Sequence, residues 1–236
     1  MALINISDKE QNSNNLLYIQ KNLCELFRQT SSKFSVSVYA KRTVLSVNVN
    51  DYYETLIKNE IAGCVSEVLT IFYKYEFLKK RIFTAGLNRE DNDILLSGII
   101  ACDYYQDYEY ILRKIGEFDD IAIDGIYNFK LKALKERWQE ITEVFPPSFT
   151  KLELKDFIGY IQKGLKNKIF IEDGKVYDEH FKRLNRSELI GNEFSVIKEA
   201  LLSNAGKIEL LSKEKMPFEN DLKLYYGDRV TFSERL

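Results

Sequence analysis

The chain is poor in the residues that most often carry catalysis or cross-links. Its 236 residues include one histidine, three cysteines, three prolines and two methionines. A single histidine excludes histidine-rich metal sites and ties any Ser-His-Asp or Cys-His arrangement to His180. That residue sits in "YDEHFKR", just after a turn, where a surface loop histidine is expected. Cys24, Cys64 and Cys102 are odd in number, far apart and form no CxxC pair. A disulfide framework and a zinc ribbon are therefore not expected, and reduced, buried, cytosolic thiols fit the pattern. No GxxxxGK[ST] occurs and no GxGxxG follows a strand, which removes the phosphate loop and the dinucleotide fingerprint. "NAGK", 204–207, reads as a helix stop before a strand, the wrong order for cradling phosphate. "EDNDI", 90–94, lacks the spacing, glycine and terminal Glu of an EF-hand; its acids suit a helix N-terminus. No cofactor and no metal site is expected on these grounds, although carboxylates are numerous enough to leave a magnesium or calcium site open.

Long apolar runs are missing as well. The longest nearly apolar stretch, "ILLSGIIAC", 94–102, is about half of a membrane span, so no membrane span is expected. No basic segment leads into an apolar one at the start, which reads as no signal peptide and a cytoplasmic location. There is no charge excess of either sign: 34 Lys and Arg against 36 Asp and Glu leave a net charge of -2. No global field draws the chain to nucleic acid or acidic lipid.

What is present is a globular composition, 45% hydrophobic and 30% charged, over a length that allows one large domain or two small ones. The periodicities predict an α+β fold: a helical middle with small β-sheets contributed by the N-terminal and C-terminal thirds. Three regions follow, 1–88, 89–165 and 166–236, possible parts of one continuous domain. "DKEQNSNN", 8–15, is polar and expected to fray. Leu16, Ile19, Leu23 and Leu26 follow helical spacing. "SVSVYAKRTVLSVNV", 35–49, alternates and predicts two strands turning near Lys41–Arg42. A long helix follows, with Asp51 and Glu54 as a capping box, a stripe from Ile57 to Tyr75 and Gly86 as its stop. Another helix covers 91–115, within an acidic block at 90–125 that sets ten acids against Arg113 and Lys114. In the same helix "DYYQDYEY", 103–110, reads as amphipathic tyrosines packing with their tips in water.

"YNFKLKALKERWQEITEVF", 127–145, reads as one helix ending at Pro146–Pro147. Tyr127, Leu131, Leu134, Trp138, Ile141 and Phe145 share its core face. Its bases do not form one stripe: Lys130 and Arg137 edge the core face, and Lys132 and Lys135 lie on the far side. Phe129 points away from the core face. Coverage by a second layer is expected, because the small sheets need something to pack on; an exposed Phe129 would instead mark a contact site with Lys132 and Lys135. A shorter helix is expected at about 150–165. The last third carries a hairpin at 168–179 turning on Asp173–Gly174, a helix around 188–203, a strand at 207–212, and a crossover helix leading to a strand at 229–233. The last three make a β-α-β unit.

Several of these pieces resemble the YtxC-like proteins of spore-forming bacteria. "FKLKALKERWQEI", 129–141, resembles their aromatic–basic–leucine helix. "GKVYDE", 174–179, "AGKIELLS", 205–212, and "YYGDRVTF", 225–232, follow in the family's order. The likeness covers roughly 120–236, and "PPSF" at 146–149 departs from the longer helical segment of the family. It implies a link to sporulation and supplies no catalytic residue or cofactor. Three functional readings follow. The leading one is a non-enzymatic interaction or structural module with a protein partner, docking through the acidic surface of 90–125 and the bases of 130–137. The second is a nucleic-acid-binding protein using Lys130, Lys132, Lys135, Arg137 and the lysines of 163–168. The third is a carboxylate-metal-dependent enzyme.

Overall fold

The computed structural model describes residues 2–82, 84–116, 118–191, 193–211 and 216–233. Outside them lie Glu117 of the acidic block, Ser212 at the end of the expected strand, residues 213–215 of the expected crossover, and Phe83 and Asn192 of expected helices. The fold is α+β, with one small sheet from each end of the chain. It comprises two compact units, Met1–Lys74 with Tyr105–Ile141, and Tyr75–Tyr104 with Thr142–Leu236.

The first unit is built from β1 (Ala2–Lys9), α1 (Ser13–Gln29), β2 (Lys33–Tyr39), β3 (Arg42–Val49) and α2 (Glu54–Val68). A π turn, Leu69–Tyr73, leads into α3 (Lys74–Lys79), of which only Lys74 belongs to this unit. Then come the end of α4 (Arg89–Ile115), β4 (Asp120–Ala122), α5 (Ile123–Phe129) and most of α6 (Lys132–Val144). The sheet order is β2-β3-β1-β4, with β4 parallel to β1 and the other pairs antiparallel. Alternation makes it one-sided. Ile4, Ile6, Leu45, Val47 and Val49 are all buried on one face, where each contributes about 1.5–3 kcal/mol. Leu16, Ile19, Leu23 and Phe27 of α1 and Ile57 and Ile61 of α2 complete that core. The other face is polar; Ser46 Oγ donates to Asn5 Oδ1 at 2.7 Å.

The beginning of the chain departs most from expectation. Residues 2–9 form a central strand, and the expected fraying of 8–15 does not occur. Asp8 and Asn15 are buried. Asp8 accepts hydrogen bonds from Tyr73 Oη at 2.7 Å, Asn15 Nδ2 at 2.8 Å and its neighbour Lys9 N at 2.7 Å. Polar residues therefore sit inside because their donors and acceptors meet one another. Burial still pushes the Asp8 carboxyl above its ordinary pKa. The helix after β3 is capped by Asn50, whose side chain accepts from Tyr52 N, rather than by the expected Asp51.

The second unit contains the start of α4, then α7 (Lys151–Ile161), β5 (Asn167–Glu172), β6 (Lys175–Tyr177), β7 (Arg183–Leu184), α8 (Val196–Leu202), β8 (Ala205–Leu210), α9 (Glu219–Tyr226) and β9 (Val230–Phe232). Thr150 and Glu153 form a capping box on α7. The hairpin turns where expected, with Asp173 at φ 49° and Gly174 at φ 74°, the left-handed pair of a type I′ turn. Sheet order is β7-β6-β5-β8-β9, with β5, β8 and β9 mutually parallel neighbours. The expected β-α-β unit is therefore present, and α8 supplies a second crossover. The helix expected around 188–203 is shorter: a 3-10 turn, Arg186–Leu189, precedes α8. Gly206 admits the loop before β5, since a Cβ there would lie 2.0 Å from the Leu165 carbonyl oxygen.

The β2–β3 hairpin turns at Ala40–Lys41, one residue earlier than expected, with φ 50° and 63°. Both residues hold a left-handed conformation that costs a side-chain-bearing residue about 1–2 kcal/mol. Replacing them together by Asn and Gly (Ala40→Asn, Lys41→Gly) is expected to raise stability by about 1 kcal/mol. The urea midpoint checks this; a lower midpoint would mean that the turn is not under strain.

Candidate contact surface

The site begins with a buried acid that fixes the helix beneath it. Asp107 on α4 and Lys74 at the start of α3 are both 0% exposed, and Lys74 Nζ lies 2.7 Å from Asp107 Oδ2. Trp138 Nε1 of α6 donates to the same oxygen at 2.8 Å, and Arg137 donates to Oδ1 at 3.0 Å. The Lys74 ammonium also stands 5.7 Å from the centre of the Trp138 ring. One carboxylate thus joins three helices, and both of its oxygens have charged or N–H donors.

Above this anchor, the stretch 127–145 is two helices rather than the single one expected. Lys130 N still donates to Ile126 O at 2.9 Å, and Lys135 N opens the next helix by donating to Leu131 O at 2.9 Å. The chain turns at Lys130–Leu131 because its apolar residues serve different neighbours. Ile123 and Ile126 on α5 are buried where that helix meets β1 and the π turn. Leu134 and Trp138 on α6 are buried beside Asp107.

The turn leaves Phe129 outside. It is 85% exposed, so the expected second layer does not cover it. Lys132 is exposed one turn on, its Nζ 4.0 Å from Glu136. Lys135 reaches back: its Nζ lies 3.3 Å from the Asn128 carbonyl oxygen and 4.9 Å above the Tyr127 ring. Lys130 Nζ caps the other helix end at this corner, 3.3 Å from Lys114 O. Cations at helix C-termini match the dipole. Phe129 and Lys135 therefore meet at one corner, with Lys132 beside them on the exposed first turn of α6.

The other predicted charge patterns break up. The acidic block is not one surface: Asp91, Asp107 and Asp124 are buried. Arg42 holds Asp124 at 2.6 Å and keeps its carboxyl below the usual range. Of the helix 103–110 tyrosines, Tyr104 is buried and Tyr105 exposed. Arg137 is tied to Asp107, so it does not extend a basic stripe. The lysines of 163–168 belong to the second unit, where Lys168 pairs with Glu209.

The second unit has a cleft of about 610 Å³ bordered by Arg89, Glu90, Asp93, Glu193, Lys198 and Asp221. Lys198 Nζ donates to Ile190 O at 3.0 Å, and burial pushes its pKa down. The adjacent Glu199 is fully buried, accepts from Ser187 N at 2.7 Å, and has its carboxyl pushed up by burial. Among the described residues no three His, Cys, Asp or Glu side chains come together as a metal site. His180 is exposed, its Nε2 3.7 Å from Glu179. No disulfide joins the three cysteines; Cys64 is buried as expected, but Cys24 and Cys102 are exposed. Among the described residues no helix is long and apolar enough to cross a membrane. Compared with family models, with curated proteins and with solved structures, the chain matches none.

Two measurements follow from the buried charges. Asp107→Leu, which removes the carboxylate opposite the buried Lys74, is expected to cost about 3–5 kcal/mol in urea unfolding, and adding Lys74→Met should recover much of that loss. A double variant no more stable than the single one would remove the ion pair as the cause. For Glu199, the folded pKa lies above its unfolded value of 4.5, so the folded state binds the proton more tightly. Wild type should gain stability relative to Glu199→Gln as pH falls from neutral toward that value. Parallel pH profiles would contradict it.

Proposed function

We propose that this protein is a non-enzymatic interaction module whose first unit docks an acidic protein partner at the α5–α6 corner. The observation that carries this reading is Phe129, a large aromatic side chain 85% exposed, followed in sequence by Lys130, Lys132 and Lys135. An apolar anchor beside cations is the chemistry of an interface core with a polar rim. Phe129 supplies the apolar contact, Lys132 supplies charge, and Lys135 contributes while holding the end of α5. Anchoring α6 through Asp107 gives the corner a rigid base, which lowers the ordering cost of binding. The resemblance of 120–236 to YtxC-like proteins supports a cytoplasmic role in sporulation, with the hairpin, lysine–isoleucine strand and C-terminal strand in the family's order.

Phe129→Ala is expected to fold normally, with stability within about 0.5 kcal/mol of wild type, because an exposed side chain contributes little. Wild type and the triple variant Phe129→Ala, Lys132→Ala, Lys135→Ala, each used as bait in extract from sporulating cells, should differ in recovered proteins. Partners held by wild type and lost from the triple variant support the reading; identical recoveries would sink it. Recovery of nucleic acid with a steep salt dependence would favour the nucleic-acid reading instead.

A further inference from the structure

The two sheets close their edges differently. β4, β7 and β9, at three of the four edges, are two or three residues long. The fourth edge is β2, seven residues long and exposed throughout. Natural edge strands are kept short or carry prolines, bulges or inward charges, because unpaired backbone groups recruit another strand. "KFSVSVY" has none of these devices, and its one charge, Lys33, stands at its end.

The register says what would fit there. Phe34, Val36 and Val38 lie opposite Val47, Leu45 and Thr43 of β3, so they extend the buried face of the sheet. They are 38%, 44% and 59% exposed; the Phe27–Phe34 ring contact at 5.6 Å marks where cover by α1 stops. In a hairpin with a two-residue turn the flanking pair, here Tyr39 and Arg42, is hydrogen-bonded. Bonding to β3 then alternates through Ser37, Ser35 and Lys33. The N–H and C=O groups of Phe34, Val36 and Val38 point to the open edge.

We infer that β2 pairs antiparallel with β2 of a second copy of this chain, about a two-fold axis at Val36. The axis falls on a residue whose backbone faces outward, so the ladder is in phase. Phe34 meets the partner's Val38, Val36 meets the partner's Val36, and Ser35 meets the partner's Ser37. Lys33 meets the partner's neutral Tyr39, so no like charges oppose one another. The apolar row of one four-stranded sheet continues into the next, and the interface is isologous. Seven paired residues bury roughly 1,000 Å² in total, which is the low end for a specific interface and implies a dimer of about micromolar strength or weaker. This dimer does not depend on the proposed α5–α6 docking site.

Sedimentation velocity across a concentration series tests it. Wild type should move from 27.7 kDa toward twice that mass as concentration rises to the high micromolar range. Val36→Lys, which adds the edge charge that is missing, should stay monomeric with unchanged circular dichroism. As a second variant, Val36→Cys should give a disulfide through position 36 on mild oxidation, identified by peptide mass mapping, because such a pair has Cα atoms about 5.5 Å apart. A wild type that stays monomeric overturns the proposal. So does undiminished dimerisation of folded Val36→Lys, or failure of the position-36 disulfide to form.

Discussion

The first unit depends on one ion pair that water does not reach. Lys74 and Asp107 are each fully buried and 2.7 Å apart. Neither charge could stay inside alone, since a lone buried ion loses several kcal/mol of hydration. The pair is held by the π turn before it. Tyr73, the last residue of that turn, donates to Asp8 at the end of β1. Lys74, the next residue, reaches Asp107 on α4. Adjacent side chains thus tie the turn to the sheet and to the helices; such π turns are rare and occur mostly as single turns inside α-helices. Trp138 and Arg137 complete the carboxylate's shell and set where α6 runs. The direction of α6 in turn sets the corner that leaves Phe129 in solvent.

Much of the charge that looks available in the sequence is committed inside the fold. Three acids of the 90–125 block are buried, and one of them holds two cations. On the basic side Arg137 answers Asp107, and Lys130 and Lys135 answer helix-end carbonyls. Local counts of ten acids or four bases therefore overstate the field that a partner meets. What distinguishes the α5–α6 corner is the aromatic side chain left without cover, with the cations as its rim.

Legibility in the sequence followed the range of the forces involved. The hairpin at Asp173–Gly174 was plain, because positive φ is a local demand. So were the alternation of β2 and β3 and the core face of Leu131, Leu134 and Trp138. β1 was hidden behind the polar run 8–15, although Ile4 and Ile6 alternate; the run reads as fraying until Tyr73, 65 residues away, supplies its donor. The break at Lys130–Leu131 carries no glycine or proline, since it comes from two helices seeking different neighbours. Phe129 was visible as a misfit on the helix. Its exposure was not, because cover is a property of what packs above.

The two exposed features of the first unit lie at opposite sides of its sheet. β2 is one edge and β4 the other, and α5 continues directly from β4. Pairing at β2 joins copies through backbone groups and apolar side chains, which salt affects little. The proposed docking at the α5–α6 corner would rely on lysines beside an aromatic anchor, which salt would weaken. A dimer made through the first surface would carry two copies of the second, so a partner with two acidic sites would bind with avidity set by their spacing. Self-association and partner binding would then reinforce each other without sharing a residue.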